Sequence, residues 1–72
     1  MPKIQSVIFP KNKFTLAQAR KWLKDHHYGQ RKVDTTEHFY RFRQMTPMKG
    51  GRYTTQTLPN GVEIILHYYK NE

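Results

Sequence analysis

His38-Phe39-Tyr40-Arg41-Phe42-Arg43-Gln44 is the stretch whose reading decides how this chain folds. Three aromatic residues and two arginines alternate with the two-residue period of a β-strand. In that geometry His38, Tyr40, Phe42 and Gln44 point to one face, and Phe39, Arg41, Arg43 and Met45 to the other. One face supplies apolar bodies for a core. The other carries two guanidinium groups, planar forks of donors that suit phosphate or carboxylate.

Working outward, Asp34-Thr35-Thr36-Glu37 is polar and turn-prone, and Tyr28 to Asp34 reads as a connection. Downstream, Met45 to Gly51 reads as a mobile loop, broken by Pro47 and the glycine pair. Arg52 to Leu58 alternates again and predicts a strand with one solvated face. Pro59-Asn60-Gly61 signals a hairpin, with Asn-Gly in a primed turn. Val62 to Tyr69 is the returning strand, with Val62, Ile64, Leu66 and Tyr68 on one side and Glu63, Ile65, His67 and Tyr69 on the other. Lys70-Asn71-Glu72 is expected to fray.

On the N-terminal side, Ile4 to Phe9 reads as a strand ended by Pro10. Val7 and Phe9 are expected on one face, Ile4 and Ile8 on the other. Thr15 followed by Gln18 is a capping box, so a helix should run from Leu16 to about His27, with Gly29 as its left-handed stop. Leu16, Ala19, Leu23 and His26 or His27 form its packing stripe, with Trp22 on the flank. Ala17, Arg20, Lys21 and Lys24 lie opposite. The order β-α-β-β-β predicts one α+β domain over residues 1–72, a single helix packed on a three- to four-stranded antiparallel sheet.

Seventy-two residues bury a modest core, and no cysteine is present to brace it. Five Tyr, four Phe and one Trp compensate with large buried areas, and oligomerisation could add to them. The chain has no apolar run near the roughly 20 residues of a membrane span. It also lacks the apolar core of a secretory signal, and the reading is an intracellular protein, in a host cell or a virion, that is not secreted and has no membrane partner. Thirteen Lys and Arg stand against five Asp and Glu, for a formal charge of +8. Residues 1–33 hold eight of the bases and one acid. Such a field favours polyanions, nucleic acid first.

Val7-Ile8-Phe9-Pro10-Lys11, Thr15 through Ala19, Trp22-Leu23-Lys24, His26, Lys32-Val33-Asp34 and Phe39 through Gln44 together form a family-like pattern. It resembles a small domain of unassigned function found in proteins of tailed phages and large DNA viruses of eukaryotes. The resemblance covers about residues 6–69, and Arg41-Phe42-Arg43-Gln44 is its most specific part. The family often has His-Gly at the helix end, where this chain has His26-His27. It also tends to an acidic residue where Thr46 stands. The resemblance implies a viral origin and brings no catalytic assignment.

No HExxH, nucleophile elbow, P-loop or carboxylate pair is present, so the chain is read as a non-enzyme without cofactor or metal. The binding residues expected from charge are Arg41, Arg43 and Arg52 in one cluster and Lys11, Lys13, Arg20, Lys21 and Lys24 in another, joined by Arg31 and Lys32. Phe39 and Tyr69 are the expected stacking residues, with Gln56 and His67 as further candidates for the open sheet face. Aromatics interleaved with arginines suit single-stranded nucleic acid, with flat surfaces for stacking and cations for phosphate, while Lys11, Lys13, Arg20, Lys21 and Lys24 could instead grip the phosphates of a duplex. Either way the expected binding is through phosphates with little sequence preference, DNA ahead of RNA. Two alternatives use the same residues. One is a virion or host-protein interaction component, a viral or host protein partner or a homo-oligomer being its implied associate. The other is a small basic ribonuclease with His38 or His67 as acid–base and Arg41 or Arg43 as charge stabiliser.

Overall fold

The computed structural model describes residues 3–45 and 50–68. The first strand, β1 (Lys3–Pro10), is followed by one helix, α1 (Leu16–Asp25). Four more strands follow: β2 (Val33–Thr35), β3 (Phe39–Arg43), β4 (Arg52–Thr57) and β5 (Glu63–Tyr68). They form one antiparallel sheet in the order β2-β3-β1-β5-β4, so the fold is α+β with five strands rather than three or four.

The additional strand is β2, which lies in what reads from sequence as connection and turn. Val33, Asp34 and Thr35 pair with Phe42, Arg41 and Tyr40. Three residues carry too short an alternation to register as a strand, and only the partner ladder makes them one. The hairpin closes through Thr36, whose amide donates to the Phe39 carbonyl (2.9 Å) and whose hydroxyl accepts from the Phe39 amide (3.1 Å).

The core is built where β1 meets β3 and β5 under the helix. Val7 pairs with Phe42 and with Ile64, and Phe9 with Tyr40, which puts all five on the helix side. Val7, Phe9, Ala19, Leu23, Phe42 and Val62 are fully buried. Phe9 is the hub: its ring meets Phe14, Trp22 and Phe42 edge-to-face at centroid distances of 5.1, 5.6 and 5.7 Å. Truncating such a residue to alanine costs about 3–5 kcal/mol, a large share of the stability of a domain this small.

A β-bulge at Gln5 corrects the face assignment of β1. Ile4 pairs with Leu66 and Ser6 with Ile65, so one extra residue sits on the β1 side. Ile4 thereby joins Val7 on the core face, whereas Ile8 stays on the other, as simple alternation could not foresee.

The capping box forms as expected, the Gln18 amide donating to Thr15 Oγ1 (3.2 Å) and the Thr15 amide to Gln18 Oε1 (2.9 Å). The helix ends earlier than expected, and its left-handed residue is His27 (φ 63°), not Gly29. The His27 amide donates to the Lys24 carbonyl (3.1 Å) and the Tyr28 amide to the Leu23 carbonyl (2.8 Å), which together make a Schellman stop. Neither His26 nor His27 packs into the core; both are exposed.

The second hairpin also differs in its turn. Gly61 has φ 94°, but Asn60 does not adopt a positive φ. Pro59 holds its own φ near −65°, which suits the first central position of a type I turn, and Gly61 then takes the left-handed step. The Gly61 amide donates to the Leu58 carbonyl (2.9 Å) and the Leu58 amide to the Val62 carbonyl (2.8 Å).

A non-glycine residue at a left-handed helix stop carries steric cost of about 1 kcal/mol relative to glycine. His27→Gly should therefore raise the thermal midpoint by about 4–8 °C, read by circular dichroism, with the fold unchanged. An unchanged or lowered midpoint would mean that the His27 side chain contributes something beyond the stop.

Candidate nucleic-acid interface

The strand registers define the sheet face away from the helix. Arg41 pairs with Ile8 and Asp34, and Ile8 with Glu63. Arg43 pairs with Ser6, Ser6 with Ile65, and Ile65 with Thr55. Phe39 lies at the Pro10 end of this face, and Lys3, His67 and Tyr53 share a row at the other end. Phe39 and Tyr53 are 38% and 45% exposed, the two large aromatics most open to solvent among the described residues.

Between these ends is a buried polar layer. The Ser6 hydroxyl donates to Gln5 Oε1 (2.6 Å), Gln5 Nε2 donates to the Met45 carbonyl (3.3 Å), and Arg41 Nη2 reaches Gln5 Oε1 (3.4 Å). His67 is fully buried, stacked on Tyr53 (4.7 Å), and its Nε2 donates to the Gly50 carbonyl (2.8 Å). Gly51 (φ 72°) lies against it, and a Cβ there would run into the Tyr68 carbonyl and His67 Nε2. His67 is thus a strut of the sheet and does not offer its ring to solvent. His38 is exposed in the β2–β3 turn, 3.8 Å from Glu37.

Arg41 and Arg43 come to this face together, but Arg52 does not join them. Arg52 pairs with Tyr68 and lies over its ring (5.6 Å), on the helix side of the sheet, and Gln56, paired with Ile64, is on that side too. The expected three-arginine cluster is therefore two arginines, because the β4 register sends even-numbered residues the other way. Tyr69 lies outside the described residues. Asp34 and Glu63 share the open face and reduce its positive field.

The second expected cluster is spread along the molecule. Lys11 lies over the Tyr40 ring (5.2 Å), and Lys13 packs beside Gly61, at the Phe39 end. Arg20, Lys21 and Lys24 line the exposed side of α1, with Lys21 paired to Asp25 (3.1 Å).

Arg31, Lys32 and Arg43 come together on one groove. Tyr28, Gly29, Gln30, Arg31, Lys32, Arg43 and Gln44 line a shallow groove of about 550 Å³. Its walls are held by the side-chain amide of Gln44, which accepts from the Gly29 amide (2.7 Å) and donates to the Gly29 carbonyl (2.9 Å). The Arg43 amide donates to the Lys32 carbonyl (2.9 Å) and continues the zip. Asp34 is the carboxylate closest by, 3.3 Å from Arg43 in an exposed pair that contributes little and exchanges readily. Among the described residues Arg20, Lys24, Arg31 and Lys32 meet no carboxylate. The role of Gln44 is not evident from the sequence, since an alternating strand gives no sign that its last side chain crosses to another segment.

Among the described residues, no three His, Asp or Glu side chains converge as a metal site would require, and no helix is long and apolar enough to cross a membrane. No family model matches the chain, and comparisons with curated proteins and with solved structures find no match.

Gln44→Ala removes both bonds to Gly29 and leaves its backbone groups to water. A loss of about 1–3 kcal/mol in stability is expected. Exchange of the Gly29 amide proton should accelerate well beyond that of the β1 amides, measured by hydrogen exchange. Equal acceleration throughout the sheet would show that Gln44 supports the whole fold rather than this groove.

Proposed function

We propose that the protein binds nucleic acid, DNA ahead of RNA, through phosphate contacts with little sequence preference. The observation that carries this reading is the convergence of Arg31, Lys32 and Arg43 on one groove, brought from two segments by the Gln44–Gly29 zip. Arginine and lysine at a rigid backbone site suit a phosphate diester, the arginine fork giving paired donors and the lysine a point charge. Arg41 extends the site onto the sheet, and the stripe of Arg20, Lys21 and Lys24 extends it along the helix. The overall charge of +8 raises the local concentration of any polyanion and speeds encounter. A viral origin belongs to the same proposal, resting on the resemblance around Arg41-Phe42-Arg43-Gln44.

A second reading, interaction with a viral or host protein, is favoured by one observation. All six residues of β4 are exposed, and β4 ends the sheet order, so its outer side offers unpaired backbone to an added strand. A defined oligomer or complex in light scattering, with no retention on DNA at about physiological ionic strength, would select this reading. The ribonuclease alternative loses one of its two candidate bases, since His67 is enclosed.

The proposal predicts a mobility shift that weakens steeply with salt. Arg41→Ala with Arg43→Ala should reduce affinity several-fold, and Arg31→Ala with Lys32→Ala by at least as much. Each lost phosphate contact should flatten the slope of log affinity against log salt by about 0.7–0.9. Binding with wild-type slope in both double variants would remove the groove and the strand from the site.

A further inference from the structure

We infer that the ligand of this groove is single-stranded, with an unpaired base stacking on His26 and Tyr28 while its phosphate occupies the Arg31–Lys32–Arg43 groove; this rests on the nucleic-acid reading above. The argument starts from three rings at the end of α1. The His26 ring lies face to face on Trp22 at 3.8 Å and 16°. It is held there by its own Nδ1–H, which donates to the Trp22 carbonyl (2.8 Å). Tyr28 is parallel to His26 within 14° at 6.4 Å, and it stands 6.1 Å from Trp22. Those three distances form a triangle, not a line, so Tyr28 stands beside the Trp22–His26 stack and widens it into a platform.

Trp22 is half-buried against the core and Tyr28 likewise, which makes the platform rigid, whereas His26 is exposed. An exposed imidazole locked parallel to a tryptophan is an aromatic surface with one face covered and one available. Tyr28 also lines the cation groove, so the platform and the phosphate site are contiguous. Flat rings beside clustered cations are the elements that bind single strands, because every base has a π-face and every linkage a phosphate. A duplex keeps its bases stacked on one another and has none to offer the platform. The stacking residues expected from sequence serve this less well: Phe39 lies at the far end of the sheet from Arg43, near Pro10.

The test uses the whole protein and labelled oligonucleotides of one length, single- and double-stranded, followed by anisotropy and by the fluorescence of Trp22, the single tryptophan of the chain. The single strand should bind at least 10-fold more tightly than the duplex and quench Trp22. His26→Ala, an exposed substitution, should cost the single strand about 5- to 150-fold, the equivalent of one stacked base, and leave duplex binding unchanged. His26→Phe should restore most of that loss. Salt-sensitive binding with no quenching, equal affinity for both forms and no effect of His26→Ala would overturn the single-strand inference and leave the phosphate groove standing. No binding to any oligonucleotide at low salt would overturn both.

Discussion

The two hairpins of this protein pair with each other only through β1. In the sheet order β2-β3-β1-β5-β4, the N-terminal strand separates β2–β3 from β4–β5 and hydrogen-bonds to both inner strands. Every apolar row of the core crosses it: Phe42–Val7–Ile64 is one, Tyr40–Phe9 another. A sheet assembled this way joins two local hairpins through long-range pairing, and its cooperativity comes from one strand filling a gap between two distant pieces of chain. The aromatic contacts of Phe9 sit at that junction, where the helix closes over it.

The same strand organises the opposite face. Its bulge sets Gln5 between the two hairpins, where Gln5 accepts from Ser6 and Arg41, donates to Met45 and takes the Gln44 amide on its carbonyl (2.8 Å). Polar groups buried without water must be paired in this way, and a connected set is more demanding of geometry than an apolar one. One outcome is positional: the end of β3 is fixed, Gln44 projects toward Gly29, and three cations arrive in one groove although they are separated by up to a dozen residues of chain.

What was legible in the sequence is what short-range periodicity controls. Phe39 to Arg43 alternates strongly enough to declare a strand and its two faces, and Thr15 with Gln18 declares the helix start. The pieces that were not legible depend on partners elsewhere. Val33–Thr35 becomes a strand only against β3, and Ile4 reaches the core only because of the bulge. His27 takes the left-handed stop that Gly29, two residues later, arrives too late to supply. Arg52 illustrates the functional side of the same limit: its identity suggests a phosphate contact, yet its register places it across the sheet from Arg41 and Arg43. Tyr53, which alternation sets opposite Arg52, is on the open face instead, paired with His67.

The exposed β4 edge stands in tension with the net charge. Arg52–Thr57 contains no proline and one charged residue, a combination that leaves the border of the sheet chemically receptive to another copy of itself. Repulsion between strongly cationic surfaces opposes such an approach, and it weakens when counterions or a polyanion neutralise the charge. Masking that charge would remove this repulsion while leaving the backbone of the β4 edge as it is.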